Sequence, residues 1–382
     1  MTFLVGSDYI YREKCRKLDW PWTYMDSITP NPILGIGLHA VGAGLSANCY
    51  SPQRYVKRWS WETYWLVQAS WCWLLWPIIV AMLTIPQLSQ VLAEAPRERM
   101  LYCFLMGMFY GIGGISFNFS IRYVGFSLTY SIAVGLCSIL GTVVPPLVHG
   151  QLREILSHAG AGYILSGVAA GALGIAICGA AGRLKENNLA AGKETHAEFS
   201  LKKGLIFSLI AGLLSSVYGF ALDAAIPIVG VAEQHGAGIW KGNVAYIFAN
   251  TGAFVTSFIY CLYLMRKNRS AGEFTQLRAG DEKASLAANY ALAFLTGSLW
   301  YGQFFFYNLG HVRLGKDYAF SSWAIHMILL VLISNAVGVI FKEWRGCQAL
   351  TKVTSAVGLF VLCMALLLLI YGNYFGSPQF SH

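Results

Sequence analysis

The stretch GSLWYGQFFFYNLGHVRLGKDYAFSSWAIH, residues 297–326, decides the fold class of this chain. Two apolar, aromatic segments flank a short polar one, which predicts the end of one transmembrane helix, a turn and the beginning of the next. Trp300, Gln303, Tyr307 and His311 are spaced at i, i+3, i+7 and i+11 and therefore share one helix face. Because amide and imidazole groups at membrane depth need a partner or water, this face predicts the wall of a polar cavity inside a membrane protein.

The composition of the whole chain agrees with a membrane protein. Of its 382 residues, 56% are hydrophobic and 12% are charged, whereas soluble domains carry about 25% charged residues. The net charge of +9 comes from basic residues between apolar segments, which the positive-inside rule explains without nucleic acid. The nine cysteines form no CxxC pair, and no P-loop, HExxH or GxSxG motif occurs. We therefore expect no cofactor, no metal and no enzymatic activity.

Ten apolar segments are near or above the roughly 20 residues that a helix needs to cross a bilayer. They are residues 32–50, 63–85, 100–119, 124–148, 161–181, 204–229, 243–264, 287–309, 320–341 and 353–374. The sequence thus predicts an all-α polytopic membrane protein with ten transmembrane helices. Residues 1–31 form a tail, and residues 1–24 are a candidate mis-assigned start because Met25 stands just before the first apolar segment. The hydrophilic residues 182–203 predict a cytoplasmic linker.

The loops predict the orientation of the chain. The loops after the odd-numbered spans carry 17 Lys and Arg residues, and those after the even-numbered spans carry 6. The basic loops should face the cytoplasm, which places both termini on the outer side. Four basic residues in the N-terminal tail argue against this orientation.

Identical residues at fixed offsets indicate an internal repeat. Spans three and four match spans eight and nine at an offset of 190 residues, through the pairs Gly107 and Gly297, Asn118 and Asn308, and Gly125 and Gly315. Spans one and six match at an offset of 168 residues, through Gly44, Leu45 and Tyr50 with Gly212, Leu213 and Tyr218. Because five spans per repeat is an odd number, residues 204–382 should be inverted relative to residues 32–181. Inverted repeats are a recurring transporter architecture, with the substrate at the repeat interface.

Three titratable residues inside apolar segments are candidates for carrying a proton. Asp223 is a carboxylate well within a span, and such a costly group indicates function by default. Its place toward the outer end of span six leaves an interfacial carboxylate as the alternative. His39 and His326 also lie toward the outer ends of their spans. Since imidazole titrates near neutral pH, each is either a proton site or a buried structural histidine.

Aromatic and amide side chains are candidates for contacting a polar, ring-shaped solute, because aromatic faces stack on C–H groups and amides bind hydroxyls. The first candidates are Trp300, Tyr301, Gln303, Tyr307 and Asn308, with helix packing as the alternative. Secondary candidates are Gln68, Trp71, Tyr110, Tyr130, Asn243, Tyr246 and Asn250. Asn118 and Asn308 alternatively brace helix ends as symmetry mates. Glu62 and Glu343, beside basic residues at the cytoplasmic edges, indicate gate-forming or solvated ion pairs.

Five motifs together resemble the bacterial L-rhamnose–proton symporter family of the drug/metabolite transporter superfamily. They are KRWSWETYW (57–65), FALDAAIPI (220–228), YGQFFFYNLGH (301–311), SSWAIHM (321–327) and FKEW (341–344). The resemblance extends from about residue 31 to the end of the chain. It implies two inverted five-helix halves and uptake of L-rhamnose, a 6-deoxyhexose, driven by the proton gradient across the bacterial inner membrane.

The sequence leaves other functions open. One alternative is a carrier of a related sugar or metabolite, with sodium instead of the proton as an option for the coupling ion. Another is a membrane sensor that transports nothing, although no long cytoplasmic signalling domain supports it. The expected partners are a small sugar, a proton and the lipid bilayer. The run Phe304–Phe306 is a candidate contact for the methyl group of a 6-deoxy sugar.

Overall fold

The computed structural model describes residues 31–148, 160–191, 199–277, 285–314 and 322–375. Within these residues the protein is all-α and contains no β-strand. Residues 1–30 of the predicted tail, Gly315 and residues 192–198 of the predicted linker lie outside the described residues.

The helices follow the predicted apolar segments. They are α1 (Pro32–Asn48), α2 (Trp61–Thr84), α3 (Leu88–Glu94), α4 (Arg97–Val124), α5 (126–148), α6 (Ala161–Ala191), α7 (Leu201–Gln234), α8 (Asn243–Asn268), α9 (Leu286–Leu314), α10 (Ser322–Ile340) and α11 (Ala349–Phe375). Two helices contain a π-helical segment: Ser70–Leu75 in α2 and Tyr130–Val134 in α5. Such segments are rare and are frequently found at functional sites.

Seven helices among the described residues are long and apolar enough to cross a membrane: α1 with the turn after it, α2, α4, α6, α7, α8 and α11. Within α5 and α10, shorter apolar stretches were found, Phe126–Leu140 and Ile325–Ile340. Helix α9 has 29 residues but is not among the seven. It carries the polar face predicted from Gln303, Tyr307 and His311, and these residues lower its hydropathy. The chain is therefore a multi-pass helical membrane protein.

Local signals explain where several helices begin and end. Asn31 caps α1, because its side-chain oxygen accepts the backbone N–H of Leu34 at 3.0 Å, and Pro32 occupies the first turn. Gly125 separates α4 from α5 with a φ of +85°, a conformation that side chains rarely adopt. Helix α6 continues to Ala191, so residues 182–191 of the predicted cytoplasmic linker are helical.

Glycines allow the helices to approach closely. Helix α4 packs against α7 and α8, α1 packs against α9 and α10, and α6 packs against α11. A Cβ atom at Gly107 would overlap the carbonyl of Ala249, and one at Gly204 would overlap the side chain of Val124. Close contact through glycine is the usual way in which helices associate in a bilayer.

Candidate functional site

A cavity of about 100 Å³ lies at the centre of the helix bundle. On the same measure one water molecule needs about 10–15 Å³, so the cavity holds several. Its walls come from both halves of the chain, namely from α1, α4 and α5 and from α7, α8, α9 and α10. Five tyrosines of these helices line it together with Tyr50, which directly follows α1: they are Tyr110, Tyr130, Tyr218, Tyr246 and Tyr307. This lining combines aromatic faces with hydroxyl groups.

The polar face of α9 forms one wall of the cavity. Trp300, Gln303 and Tyr307 all line it, as their helical spacing predicts. The indole of Trp300 is held by other aromatic rings, with its centroid 5.1 Å from that of Tyr50 and 4.8 Å from that of Trp73. Because both contacts are edge-to-face, the ring of Trp300 has a fixed orientation in the wall.

A buried cluster of imidazole and phenol rings lies at one end of this wall. His326 lines the cavity and is 2% exposed, and His39 is fully buried. Their ring centroids are 5.7 Å apart, and Tyr307 is 5.2 Å from His39 and 5.4 Å from His326. The Nε2 atom of His39 shares a hydrogen bond of 3.0 Å with the hydroxyl of Ser322. The two predicted histidines therefore lie side by side at the cavity.

The cluster contains polar atoms without a hydrogen-bond partner. The Nδ1 atoms of His39, His311 and His326 and the indole nitrogen of Trp323 are buried and unpartnered among the described residues. The ring of His311 stacks on Tyr307 with centroids 6.2 Å apart, although His311 itself does not line the cavity. Buried polar atoms are usually hydrogen-bonded, so this concentration is typical of a site that binds a ligand, water or a proton.

Asp223 lies apart from the histidines. Its side chain on α7 is exposed, and it is not among the residues that line the cavity, whereas its neighbour Leu222 is. The three predicted proton sites thus do not form one cluster in this structure: two converge and Asp223 does not.

Several predicted sugar contacts lie outside the cavity. Asn308 donates a hydrogen bond of 3.3 Å to the carbonyl of Ile239, which braces the turn before α8. Tyr301 is buried with an unpartnered hydroxyl, and Gln68 is buried with both amide atoms unpartnered. Trp71 packs edge-to-face on Phe294, with ring centroids 4.8 Å apart.

The secondary candidates divide in the same way. Tyr110, Tyr130 and Tyr246 line the cavity. Asn250 does not line the cavity itself, but it accepts a hydrogen bond of 2.7 Å from the hydroxyl of Tyr218, which does. Asn243, in contrast, donates to the hydroxyl of Thr84 at 2.9 Å and joins α8 to the end of α2.

Glu62 and Asn118 hold connections between helices. The carboxylate of Glu62 accepts hydrogen bonds from Ser270 at 2.6 Å and Asn268 at 2.9 Å, so it binds the end of α8. Asn118 accepts from the indole of Trp61 at 2.7 Å and donates to Gln53 at 2.9 Å.

Glu343 binds the first turn of α5. It accepts the backbone N–H groups of Phe126 at 2.7 Å and Ser127 at 3.1 Å, where the positive end of the helix dipole favours a carboxylate. Arg54 lies 3.7 Å from the same carboxylate and over the ring of Phe341. Glu343 therefore ties α5, α10 and the turn after α1 together.

Other cavity residues escaped the sequence reasoning. Tyr50 and Tyr218 both line the cavity, but the sequence indicated them only as identical residues at the offset of 168. Tyr130, a secondary candidate, is joined by Val134, which was not singled out, and both belong to the π-helical segment of α5. A π-helical turn has no sequence signature, but the match of Tyr50 with Tyr218 at a fixed offset could have identified that pair.

Membrane-crossing helices around a central cavity of aromatic, amide and imidazole groups are typical of a membrane transport protein. The chain belongs to the L-rhamnose-proton symport protein family, whose model matches residues 28–375.

The chain aligns with nearly the whole length of several relatives. It is 34% identical to the L-rhamnose-proton symporter of Pectobacterium carotovorum subsp. carotovorum over 88% of this chain and 96% of the relative. It is also 34% identical to the L-rhamnose-proton symporter of Pectobacterium atrosepticum, over 86% of this chain and 98% of the relative. The symporter of the same name from Yersinia pestis has the same identity, over 87% and 96%. No solved structure matches this chain.

Proposed function

We propose that this protein imports L-rhamnose together with protons by alternating access. The observation that carries the proposal is the 34% identity to proteins named L-rhamnose-proton symporter over almost their full length. The central cavity agrees with it, since it joins groups that bind a sugar to a histidine that can carry a proton.

The cavity offers L-rhamnose two kinds of surface. Gln303, Tyr307 and His326 present hydrogen-bonding groups for its hydroxyls, while Phe304 and Val134 present apolar surface for its methyl group. Trp300 supplies an aromatic face of the kind that stacks on the C–H groups of a sugar ring. Of the predicted run of phenylalanines, Phe304 lines the cavity, and Phe305 instead stacks on Trp240 with ring centroids 5.5 Å apart.

His326 and His39 are the proposed proton carriers, and Asp223 is a less favoured one. A proton on His326 would sit in the cavity wall, 5.4 Å from the ring of Tyr307, where a bound sugar also lies. Coupling then requires that the outward-facing and inward-facing states differ in their affinity for both ligands. The exposed position of Asp223 separates it from the sugar and weakens its candidacy.

Paired contacts support ten membrane crossings arranged as two inverted repeats. Gly204 of α7, in the second half, packs against Val124 of α4, in the first half. In the reciprocal contact, Gly35 of α1, in the first half, packs against Leu314 of α9, in the second half, and residue 314 follows residue 124 by the offset of 190. Gly107 and Gly297 have the same offset and make equivalent close contacts with α8 and α2.

Hydrogen bonds at the helix ends follow the same symmetry. Asn118 binds Gln53 in the turn between α1 and α2, and Asn308 binds Ile239 in the turn between α7 and α8. Likewise Glu62 at the start of α2 binds the end of α8, and Asn243 at the start of α8 binds the end of α2. Interlocking of this kind is expected of an inverted repeat and supports the brace role of both Asn118 and Asn308.

The basic loops support an orientation with both termini on the outer side of a bacterial inner membrane. In this orientation Glu62 and Glu343 lie at the cytoplasmic ends of their helices. Glu343 and Arg54 then close the inner end of the bundle, and their separation would accompany opening toward the cytoplasm.

Uptake of labelled L-rhamnose into proteoliposomes tests the proposed function. We expect accumulation with an imposed inward proton gradient, and none with a sodium gradient at constant pH. Accumulation driven by sodium would show that sodium, not the proton, is the coupling ion. Accumulation of another sugar but not of L-rhamnose would show that the substrate is a different one. Folded protein that accumulates no sugar under either gradient would contradict transport and favour a sensor.

A further inference from the structure

A second groove lies on the outer surface of the bundle, away from the central cavity. It has a volume of about 570 Å³ and runs between the second half of α10 and the first half of α11. Apolar side chains form its walls: Leu332, Ala336, Val339, Ala356 and Leu359. Leu332 and Val339 are 42% and 66% exposed, which shows that the groove opens toward the hydrocarbon that surrounds the bundle.

Three cations surround one end of the groove. Lys342 and Arg345 in the α10–α11 connection and Lys352 in the first turn of α11 all line it, and all three are exposed. No carboxylate is among the described residues of its lining. The neighbouring Glu343 is directed elsewhere, because it accepts the backbone N–H groups of Phe126 and Ser127.

Trp344 and Lys185 reinforce the positive end. Trp344 also lines the groove, and its indole nitrogen donates to the hydroxyl of Ser127 at 3.3 Å. The ammonium of the buried Lys185 lies 4.9 Å from the ring centroid of Trp344. Tryptophan at the boundary between hydrocarbon and water is typical of membrane interfaces, so the charged end of the groove lies at the level of lipid headgroups.

We propose that this groove binds an anionic phospholipid, with an acyl chain between α10 and α11 and the phosphate on Lys342, Arg345 and Lys352. The shape favours this occupant, because a free anion would leave the apolar walls unused and a neutral lipid would leave three cations without a counter-charge. Basic pockets between transmembrane helices are known to select anionic headgroups.

The lipid would also contact the transport machinery. Asn335 lines the groove and donates a hydrogen bond of 3.1 Å to the hydroxyl of Ser131, which belongs to the π-helical segment of α5. The same segment contributes Tyr130 and Val134 to the central cavity. An occupied groove therefore supports the wall of the cavity from the lipid side.

Lipid retention by the full chain tests the site. Purified protein is titrated with phosphatidylglycerol or phosphatidylcholine and measured by native mass spectrometry. The test variant carries Lys342→Gln, Arg345→Gln and Lys352→Gln. The matched control carries Arg266→Gln, Lys267→Gln and Arg269→Gln, three exposed cations at the end of α8 that do not line the groove. A third variant, Ala336→Phe, fills the groove and keeps its charges.

We expect the wild type and the control to bind phosphatidylglycerol more tightly than phosphatidylcholine. The test variant should lose about fivefold in affinity for each cation removed, since each contributes about a factor of five at a membrane surface. Ala336→Phe should weaken binding although the charge is unchanged.

An equal loss of phosphatidylglycerol affinity in the test and control variants would show that the net positive charge of the surface, not the groove, attracts the lipid, and would overturn the proposal. An unchanged affinity in Ala336→Phe, or full displacement of the lipid by soluble glycerol phosphate, would also overturn it, because a headgroup site without an acyl chain would then explain the data. Thermal unfolding of each variant in detergent verifies that it is folded.

Discussion

His326 is the one histidine among the described residues that line the cavity, and His39 lies directly beside it. Their Nδ1 atoms have no hydrogen-bond partner among the described residues, so each ring can accept a proton there without breaking a hydrogen bond. A third ring, Tyr307, touches both. At the scale of single residues, the proposed coupling of proton and sugar therefore rests on three side chains from α1, α9 and α10.

Replacing His326 with alanine should uncouple the two ligands. We expect His326→Ala to abolish accumulation driven by a pH gradient, because the cavity loses its proton carrier. Exchange of internal for external labelled sugar, which needs no net proton movement, should persist. Both are measured in the same proteoliposomes.

His235→Ala serves as the control for that loss. His235 is hydrogen-bonded to Gln87 and Glu94 at 3.0 Å each and does not line the cavity, so its removal should leave accumulation unchanged. Normal gradient-driven accumulation by His326→Ala would remove His326 from the coupling mechanism.

Gln303 and Asn308 allow binding and bracing to be separated on one helix. Gln303→Ala removes a hydrogen-bonding group from the cavity wall, so the half-saturation concentration for sugar should rise about tenfold, as loss of one hydrogen bond predicts. Asn308→Ala removes the bond to Ile239 instead and should lower the thermal unfolding temperature with little change in half-saturation. Uptake kinetics and thermal unfolding are measured for both variants, and the reverse pattern would exchange their roles.

The sequence showed some of these roles and concealed others for a physical reason. Helical spacing brought Trp300, Gln303 and Tyr307 to one face, because such spacing is a local property of the chain. The meeting of His39 with His326 depends on the packing of α1 against α10, which no local pattern encodes. The exposure of Asp223 has the same origin: hydropathy places it within a span, and only the packing decides which way its side chain faces.

At the scale of helices, small residues determine how closely the elements approach. Hydropathy predicts the boundaries of most helices. Pro32 marks the beginning of α1, and Gly125 marks the break between α4 and α5. The continuation of α6 through residues 182–191 did not follow, because charged residues are tolerated in a helix that extends beyond the bilayer into water. The π-helical turns of α2 and α5 could not be predicted from the sequence either.

Gly107→Ala should destabilise the contact between α4 and α8. The added methyl group would overlap the carbonyl of Ala249, and overpacking of this kind costs about 1–3 kcal/mol. Gly179→Ala on α6 is the matched control, since a Cβ there meets no atom within 4 Å. We expect a lower thermal unfolding temperature for Gly107→Ala and none or a small rise for Gly179→Ala. Equal temperatures for both variants would show that α4 and α8 can separate without loss of stability.

At the scale of the whole molecule, the paired contacts of the two halves and the distribution of basic residues support the topology that we propose. The proposed repeat rests on a few identities at an offset of 190 in the sequence and on the equivalent contacts of Gly35 and Gly204. An inverted repeat places α2 and α8 antiparallel to each other. The ends of α3 and α8 should consequently lie on opposite sides of the membrane.

Labelling with a membrane-impermeant maleimide measures this topology. Glu98→Cys follows α3, where the native side chain is 79% exposed, and Lys267→Cys lies at the exposed end of α8. Both are made in a Cys15→Ser background, because the described cysteines are buried or half-buried. We expect Glu98→Cys to react in intact cells and Lys267→Cys to react only in inside-out vesicles. The opposite result would keep the fold and reverse the orientation. Reaction of both from one side would contradict the proposed topology, because five crossings, α4 to α8, then separate these positions and an odd number of crossings places them on opposite sides.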